Sequence, residues 1–281
     1  MVANMRYLKR RAFNQLALVF AVLLTGIALL FLGWILFVLA DKGVRYLNLD
    51  VFVKSTPGAG IQGGGLANAL VGSLLITLLG IGIGAPTGVL AATWLAEFGA
   101  RSRLAAVVRF VNDILLSAPS IVIGVFVYGI MVLPMGHFSG WAGGVALAII
   151  ALPVIVRTTD NMLQLVPSQL REAALALGAP RWKVTLAIVY RSSLSGIITG
   201  VLLAIARIIG EAAPLLFTTL GNQFFSTNMS RPIAALPQVL FNFALGPYSN
   251  WHRLAWAGAF ISTVFVLFLM ILARVFVGRK H

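Results

Sequence analysis

The chain has 281 residues, 60% of them hydrophobic and 10% charged, with a formal net charge of +14. A soluble domain carries about 25% charged residues, so seven Asp and Glu exclude a water-solvated 30 kDa globule and imply an integral membrane protein. The absence of Cys excludes disulfides and thiolate chemistry, and three scattered histidines (His137, His252, His281) with few carboxylates argue against a metal site.

A bilayer core about 30 Å thick needs about 20 apolar residues as helix. Phe13 to Ala40 is the first uncharged run. Its length, and the lack of a small-residue cleavage site after it, argue for a retained span over a signal peptide. In the loop that follows, Gly58-Ala-Gly-Ile-Gln-Gly63 matches G-x-G-x-x-G. No preceding strand, βαβ unit or ribose-binding acid accompanies it, so it reads as a flexible loop and not a dinucleotide site. Leu66 to Ala96 is the second span. Its Gly80-Ile-Gly-Ile-Gly-Ala-Pro-Thr-Gly88 stretch offers small residues for close helix packing, and Pro86 predicts a kink.

Ile114 to Val156 is uncharged and too long for one span. A Pro/Gly turn at Leu-Pro-Met-Gly-His-Phe-Ser-Gly (133–140) divides it into a third and a fourth. Asp113 then stands at the start of the third span, four residues after Arg109, where a helix N-terminus favours a carboxylate. Glu97 and Asp160, also at span ends, take the same reading as structural caps. Leu194 to Thr218 is the fifth span, with Gly196 and Gly200 as a G-x-x-x-G packing signal, and Leu254 to Ala273 is the sixth. The expected fold is all-α: a polytopic membrane protein of six transmembrane helices in one domain, 1–281, without a soluble catalytic domain or internal repeat.

The basic residues set the orientation. One side collects fifteen: Arg6, Lys9, Arg10, Arg11, Arg101, Arg103, Arg109, Arg157, Arg171, Arg181, Lys183, Arg191, Arg274, Arg279 and Lys280. The other holds five: Lys42, Arg45, Lys54, Arg231 and Arg253. Both termini are therefore expected in the cytoplasm. Residues 157–192 then form a cytoplasmic loop and 220–253 an external one, with Trp251 and Trp256 as interfacial anchors. Because the positive charge flanks apolar spans, a nucleic-acid partner is not expected; membrane lipid is.

Residues 167–191 read PSQLREAALALGAPRWKVTLAIVYR. Ser168 predicts an N-cap, and Leu170, Ala173, Ala174 and Leu177 make one apolar stripe. Gly178 suits a helix stop and Pro180 the first turn of a second helix. Such a helix either lies on the lipid surface or docks into a partner's cleft. No G-x-x-x-x-G-K-[ST] is present, so any ATP that drives this protein is hydrolysed by another chain, with its Mg²⁺ there too.

Within the fifth span stand two charges, Arg207 and Glu211. An Arg at a helix centre costs about 2.5–3.5 kcal/mol on insertion scales, which implies an intramembrane partner or a water-filled route. At i and i+4 the two are expected on one helix face, and Pro214 leaves the carbonyl of Gly210 without its helical donor. Two readings stand: a structural ion pair, or the lining of a route for an anion that Arg grips through its planar fork.

Glu172-Ala-Ala-(three)-Gly178-(nine)-Ile188 resembles the EAA loop of ABC importer permeases, departing at the end, where Tyr190-Arg191 replaces Leu-Pro. GGGLANALVGSL (63–74), FVNDILLSAPSIVIG (110–124), IARIIGEAAPLLFT (205–218) and LMILAR (269–274) are similar to the permeases of phosphate-specific ABC importers. The resemblance implies the type I ABC importer permease fold and inward transport of inorganic phosphate, with no enzymatic step on this chain. It implies that Glu172, Ala173, Ala174 and Gly178 couple to an ATP-binding subunit dimer, and that Arg207 and Glu211 line the translocation pathway. The further partners implied are a homologous second permease and an external phosphate-binding protein. A sulfate or molybdate permease, or an ion-coupled secondary transporter, is the alternative.

Overall fold

The computed structural model describes residues 2–99 and 102–278, with the side chains of 7, 9–99 and 102–275. Arg101, Arg279, Lys280 and His281, and the side chain of Arg6, lie outside the described residues. Apart from a single bridge between Leu220 and Ile233, regular structure in the described residues is helical.

The first apolar run lies in α1 (Val2–Tyr46). Its side chains from Lys9 to Phe37 are exposed. A helix apolar all round has no reason to present one stripe to its own bundle; lipid or another chain covers it. Contact begins only near its end, where Gly43 lies on Phe260 and Lys42 stands 4.8 Å over the Trp256 ring. The short α2 (Leu49–Val53) starts at Asn48, whose side chain accepts from the Val51 N–H at 3.1 Å. The Gly58–Gly63 motif lies in the loop between α2 and the next helix.

The second span is α3 (Ala67–Phe98), whose last turn, Trp94–Phe98, widens into a π-helix. It continues as helix through Pro86. The third span is not one helix from Ile114. It consists of α4 (Arg103–Ser117) and α5 (Ser120–Met135), bent by 105°. Pro119 is the cause: it offers no N–H and holds Ala118 extended, at φ −66° and ψ 135°. Asp113 therefore lies well inside α4 and caps nothing; Ser102 is the N-cap, its Oγ accepting from Ala105 N–H at 3.1 Å. The expected Pro/Gly turn ends α5 at Gly136, with φ +72°.

The fourth span, α6 (Gly140–Gln164), is the axis of the bundle and its most buried helix. Helix α7 (Ser168–Ala176) follows, then α8 (Arg181–Ile209), which has its own π-turn at Thr185–Val189. Of residues 157–192, only 165–167 and 177–180 are thus outside helix. The chain continues through α9 (Ala213–Thr218), α10 (Leu236–Leu245, within residues 220–253) and α11 (Ser249–Gly278). Helices α1, α3, α6, α8 and α11 are long and apolar enough to cross a membrane, and the α4–α5 pair makes a sixth span when its two bent arms are counted as one.

Glycine packing holds α3 and α8 onto α6, as the small-residue patterns predict. Gly80, Gly84 and Gly88 meet Leu147, Ala148 and Ile155, while Gly196 and Gly200 meet Met162 and Thr158. A Cβ at Gly200 would overlap Thr158, so the two backbones meet at a separation no larger residue permits. The core between them contains Ile76, Leu147, Ile150, Ile155, Ile208 and Leu215.

Candidate functional site

Arg207 occupies the last turn of α8, which closes at Gly210. Glu211 and Ala212 lie outside regular helix before α9 begins. The expectation of two charges on one helical face is thus corrected: Arg207 is helical and Glu211 sits in the break. Pro214, in the first turn of α9, cannot serve as donor to the Gly210 carbonyl, and the ladder stops there. The negative end of the α8 dipole lies beside the guanidinium and favours it.

The Arg207 Nε to Glu211 Oε1 separation is 4.0 Å, and the side chains are 39% and 20% exposed. Among the described residues, neither side chain has a hydrogen-bond partner. This is a loose pair beside a broken helix, its donors free to take an anion. The break is firmly seated on its other side: α9 packs on α5 so closely that Gly124 leaves no room for a Cβ against Pro214. Ile205 and Ile209, on the opposite face of α8, line an apolar crevice of about 430 Å³ with Thr77, Ile81 and Phe265. The charged face and the greasy face of one helix are therefore distinct.

The second candidate site is the projection around α7, on the same end of the bundle as most of the basic residues. Gly178 has φ +80°, where a side chain is strained. Its N–H donates to Leu175 O at 2.9 Å, and Ala179 N–H donates to Ala174 O at 3.2 Å. These two reversed bonds satisfy carbonyls that the helix end leaves open. The start differs from expectation: Pro167 is the cap residue, and Ser168 is the first helical residue with no capping bond. Glu172 and Ala173 are exposed, Ala174 is buried, and Leu177 is 89% exposed. The chain itself covers Ala174 and leaves Leu170, Ala173 and Leu177 of the stripe exposed.

Beneath α7 lies an arrangement that sequence reasoning missed. Glu97 and Asp160 are near the C-terminal ends of α3 and α6, where the helix dipole disfavours a carboxylate; they are not caps. Each is compensated by an arginine. Arg109 Nε donates to Asp160 Oδ2 at 2.9 Å, and its Nη2 donates to Leu95 O at 3.0 Å. Arg171 Nη2 donates to Glu97 Oε1 at 2.7 Å and to Leu163 O at 2.7 Å, and Nη1 donates to Val166 O. The pattern is crossed. Arg109 joins the α6 acid to the Leu95 carbonyl near the end of α3; Arg171 joins the α3 acid to the Leu163 carbonyl at the end of α6 and to the Val166 carbonyl just beyond it. Asp113 pairs instead with Arg157 at 3.3 Å, both half exposed. The overlooked signal was an acid at the wrong end of a span.

The family described as binding-protein-dependent transport system inner membrane component matches residues 84–281. The phosphate transport system permease protein PstA of Haemophilus influenzae is 55% identical over 277 residues, 99% of this chain and 98% of that protein. The protein of the same name from Pasteurella multocida is 53% identical, covering 99% of both chains. A chain from the crystal structure of a bacterial alginate ABC transporter, in complex with an alginate pentasaccharide-bound periplasmic protein, has a TM-score of 0.65. It is 15% identical and covers 91% of this chain and 92% of that one, a likeness of fold.

Proposed function

The chain belongs to the binding-protein-dependent transport system inner membrane component family, and from that premise we propose that it is the phosphate-conducting permease subunit of an ATP-driven importer. Relatives above 50% identity along nearly the whole chain carry the phosphate permease name, and the broken, six-span helical fold suits a conduit. The basic end faces the cytoplasm, with both termini there. The exposed face of α7, with Glu172, Ala173 and the Gly178 turn, seated through the buried Ala174, docks in a groove of a separate ATP-binding subunit, which holds the ATP and Mg²⁺. Two such subunits, a homologous second permease and an external phosphate-binding protein complete the assembly.

The observation that carries this reading is Arg207: a permanently charged fork, in the last turn of an apolar helix beside its break, without a hydrogen bond of its own among the described residues. A structural ion pair would close to hydrogen-bond distance; this one stands at 4.0 Å. Phosphate takes two parallel N–H donors from the guanidinium, and water follows it in. Glu211 weakens that grip by repulsion, because a conduit must also release. Alternating access exposes the pair to each side in turn.

Radiolabelled phosphate uptake into proteoliposomes holding the whole complex tests it. Arg207→Gln abolishes uptake while the subunit still inserts and assembles; normal uptake by that variant would exclude the arginine from the route. Uptake of sulfate or molybdate in place of phosphate would name a different cargo, and uptake without ATP would name an ion-coupled carrier.

A further inference from the structure

Helix α7 is poorly attached to the bundle it is meant to move. Its one buried residue is Ala174. Through the chain it reaches α8 by the Gly178–Pro180 turn and α6 by residues 165–167. Neither path leads to α3. The link to α3 is one guanidinium: Arg171 donates to both oxygens of Glu97, at 2.7 and 3.2 Å from Nη2 and Nε, and to the closing carbonyls of α6. The contact is well shielded, with side chains 22% and 10% exposed. Burial and the bidentate fork make it strong and directional.

Its surroundings are built to yield. Glu97 lies inside the π-turn that ends α3, and a second π-turn, Thr185–Val189, opens α8. A cavity of about 210 Å³ lies between them, lined by Glu97, Phe98, Arg171, Leu175, Arg181 and Thr185. A π-turn is a rare, wide turn, frequent at functional sites. Two of them face one cavity below one ion pair, so the helices that α7 touches are irregular and have open space beside them at the contact.

We propose that Arg171 is a positioning residue for transport: it carries displacement of α7 into α3 and α6 through its clamp on Glu97, the two π-turns taking up the movement. This deepens the proposed function and rests on α7 meeting the ATPase. A rigid brace in the same place would hold the subunit together and do no more. The two differ in the number of phosphate ions moved per ATP hydrolysed.

The test uses the reconstituted complex, measuring ATP hydrolysis and phosphate uptake on one preparation. Arg171→Gln and Glu97→Gln each keep hydrolysis near wild type and lower uptake per ATP about tenfold, and the double variant is no worse than either alone. Arg171→Lys, which keeps the charge and loses the fork, falls between. Additive losses in the double variant, or parallel loss of hydrolysis and uptake, would overturn the proposal. So would failure of both single variants to copurify with the ATPase, because the contact would then be an assembly requirement. A wild-type complex without ATP-driven phosphate uptake sinks the function and the clamp together. A coupled wild type beside an equally coupled Arg171→Gln sinks the clamp alone.

Discussion

Arg171 and Arg207 are the same chemical group placed under opposite terms. Arg171 is pinned by Glu97, Leu163 O and Val166 O; Arg207 has one acid at 4.0 Å and 39% exposure. A guanidinium has five N–H donors. One that has given most of them to its own fold has little left for a ligand and acts as a joint. One that has given none, within hydrocarbon, is costly until something arrives. Bonding state, more than charge or depth, separates these two arginines, and it is the ground for proposing one as a joint and the other as the contact for cargo.

The sharpest way to break this contrast is at Arg207. Arg207→Gln removes two charge-assisted hydrogen bonds to the anion and is expected to cut phosphate uptake by about 100-fold or more. Arg207→Lys keeps the charge without the fork and leaves a deficit of about tenfold, read in the same vesicle assay. At the knob, Gly178→Trp places a bulky side chain at φ +80°, a strain of about 1–2 kcal/mol, and ATPase copurified with the permease falls with coupling. In the bundle, Gly200→Leu drives a side chain into Thr158 and is expected to cost about 1–3 kcal/mol, seen as a lower melting temperature in detergent. Glu211→Gln removes the weak neighbour of Arg207: half-saturation for phosphate falls, and turnover slows a few-fold because release is harder. The smallest effect belongs to Asp113→Asn. Its half-exposed bridge to Arg157 is worth under about 1 kcal/mol, so uptake and stability stay near wild type.

Hydropathy located five of the spans, because a lipid-facing helix must be apolar along its length. It misplaced the third, since polarity marks no boundary in the uncharged run from Ile114; the break is carried by Pro119 within that run. The glycine patterns predicted close helix packing, and the structure places that packing at the α3–α6 and α6–α8 contacts. Asp113, Glu97 and Asp160 were misread together. Being near a span end is visible in sequence, whereas having an arginine from another helix at that end depends on how the bundle folds. Arg207 and Glu211 stood out because ions are rare in such a run, yet their shared helical face dissolved at the Gly210 break.

The sequence by itself determined that this chain lives in a bilayer, how many times it crosses, which end is basic and which two charges are out of place, all consequences of local composition measured against about 30 Å of hydrocarbon. Tertiary structure alone decided which charges are satisfied. Arg171 lies 74 residues from Glu97 and Arg109 lies 51 from Asp160 along the chain, so no periodicity or spacing relates them. Packing on α6 brings those carboxylates to their arginines and leaves Arg207 loosely paired, and that difference in bonding is what supports the proposed roles of joint and conduit.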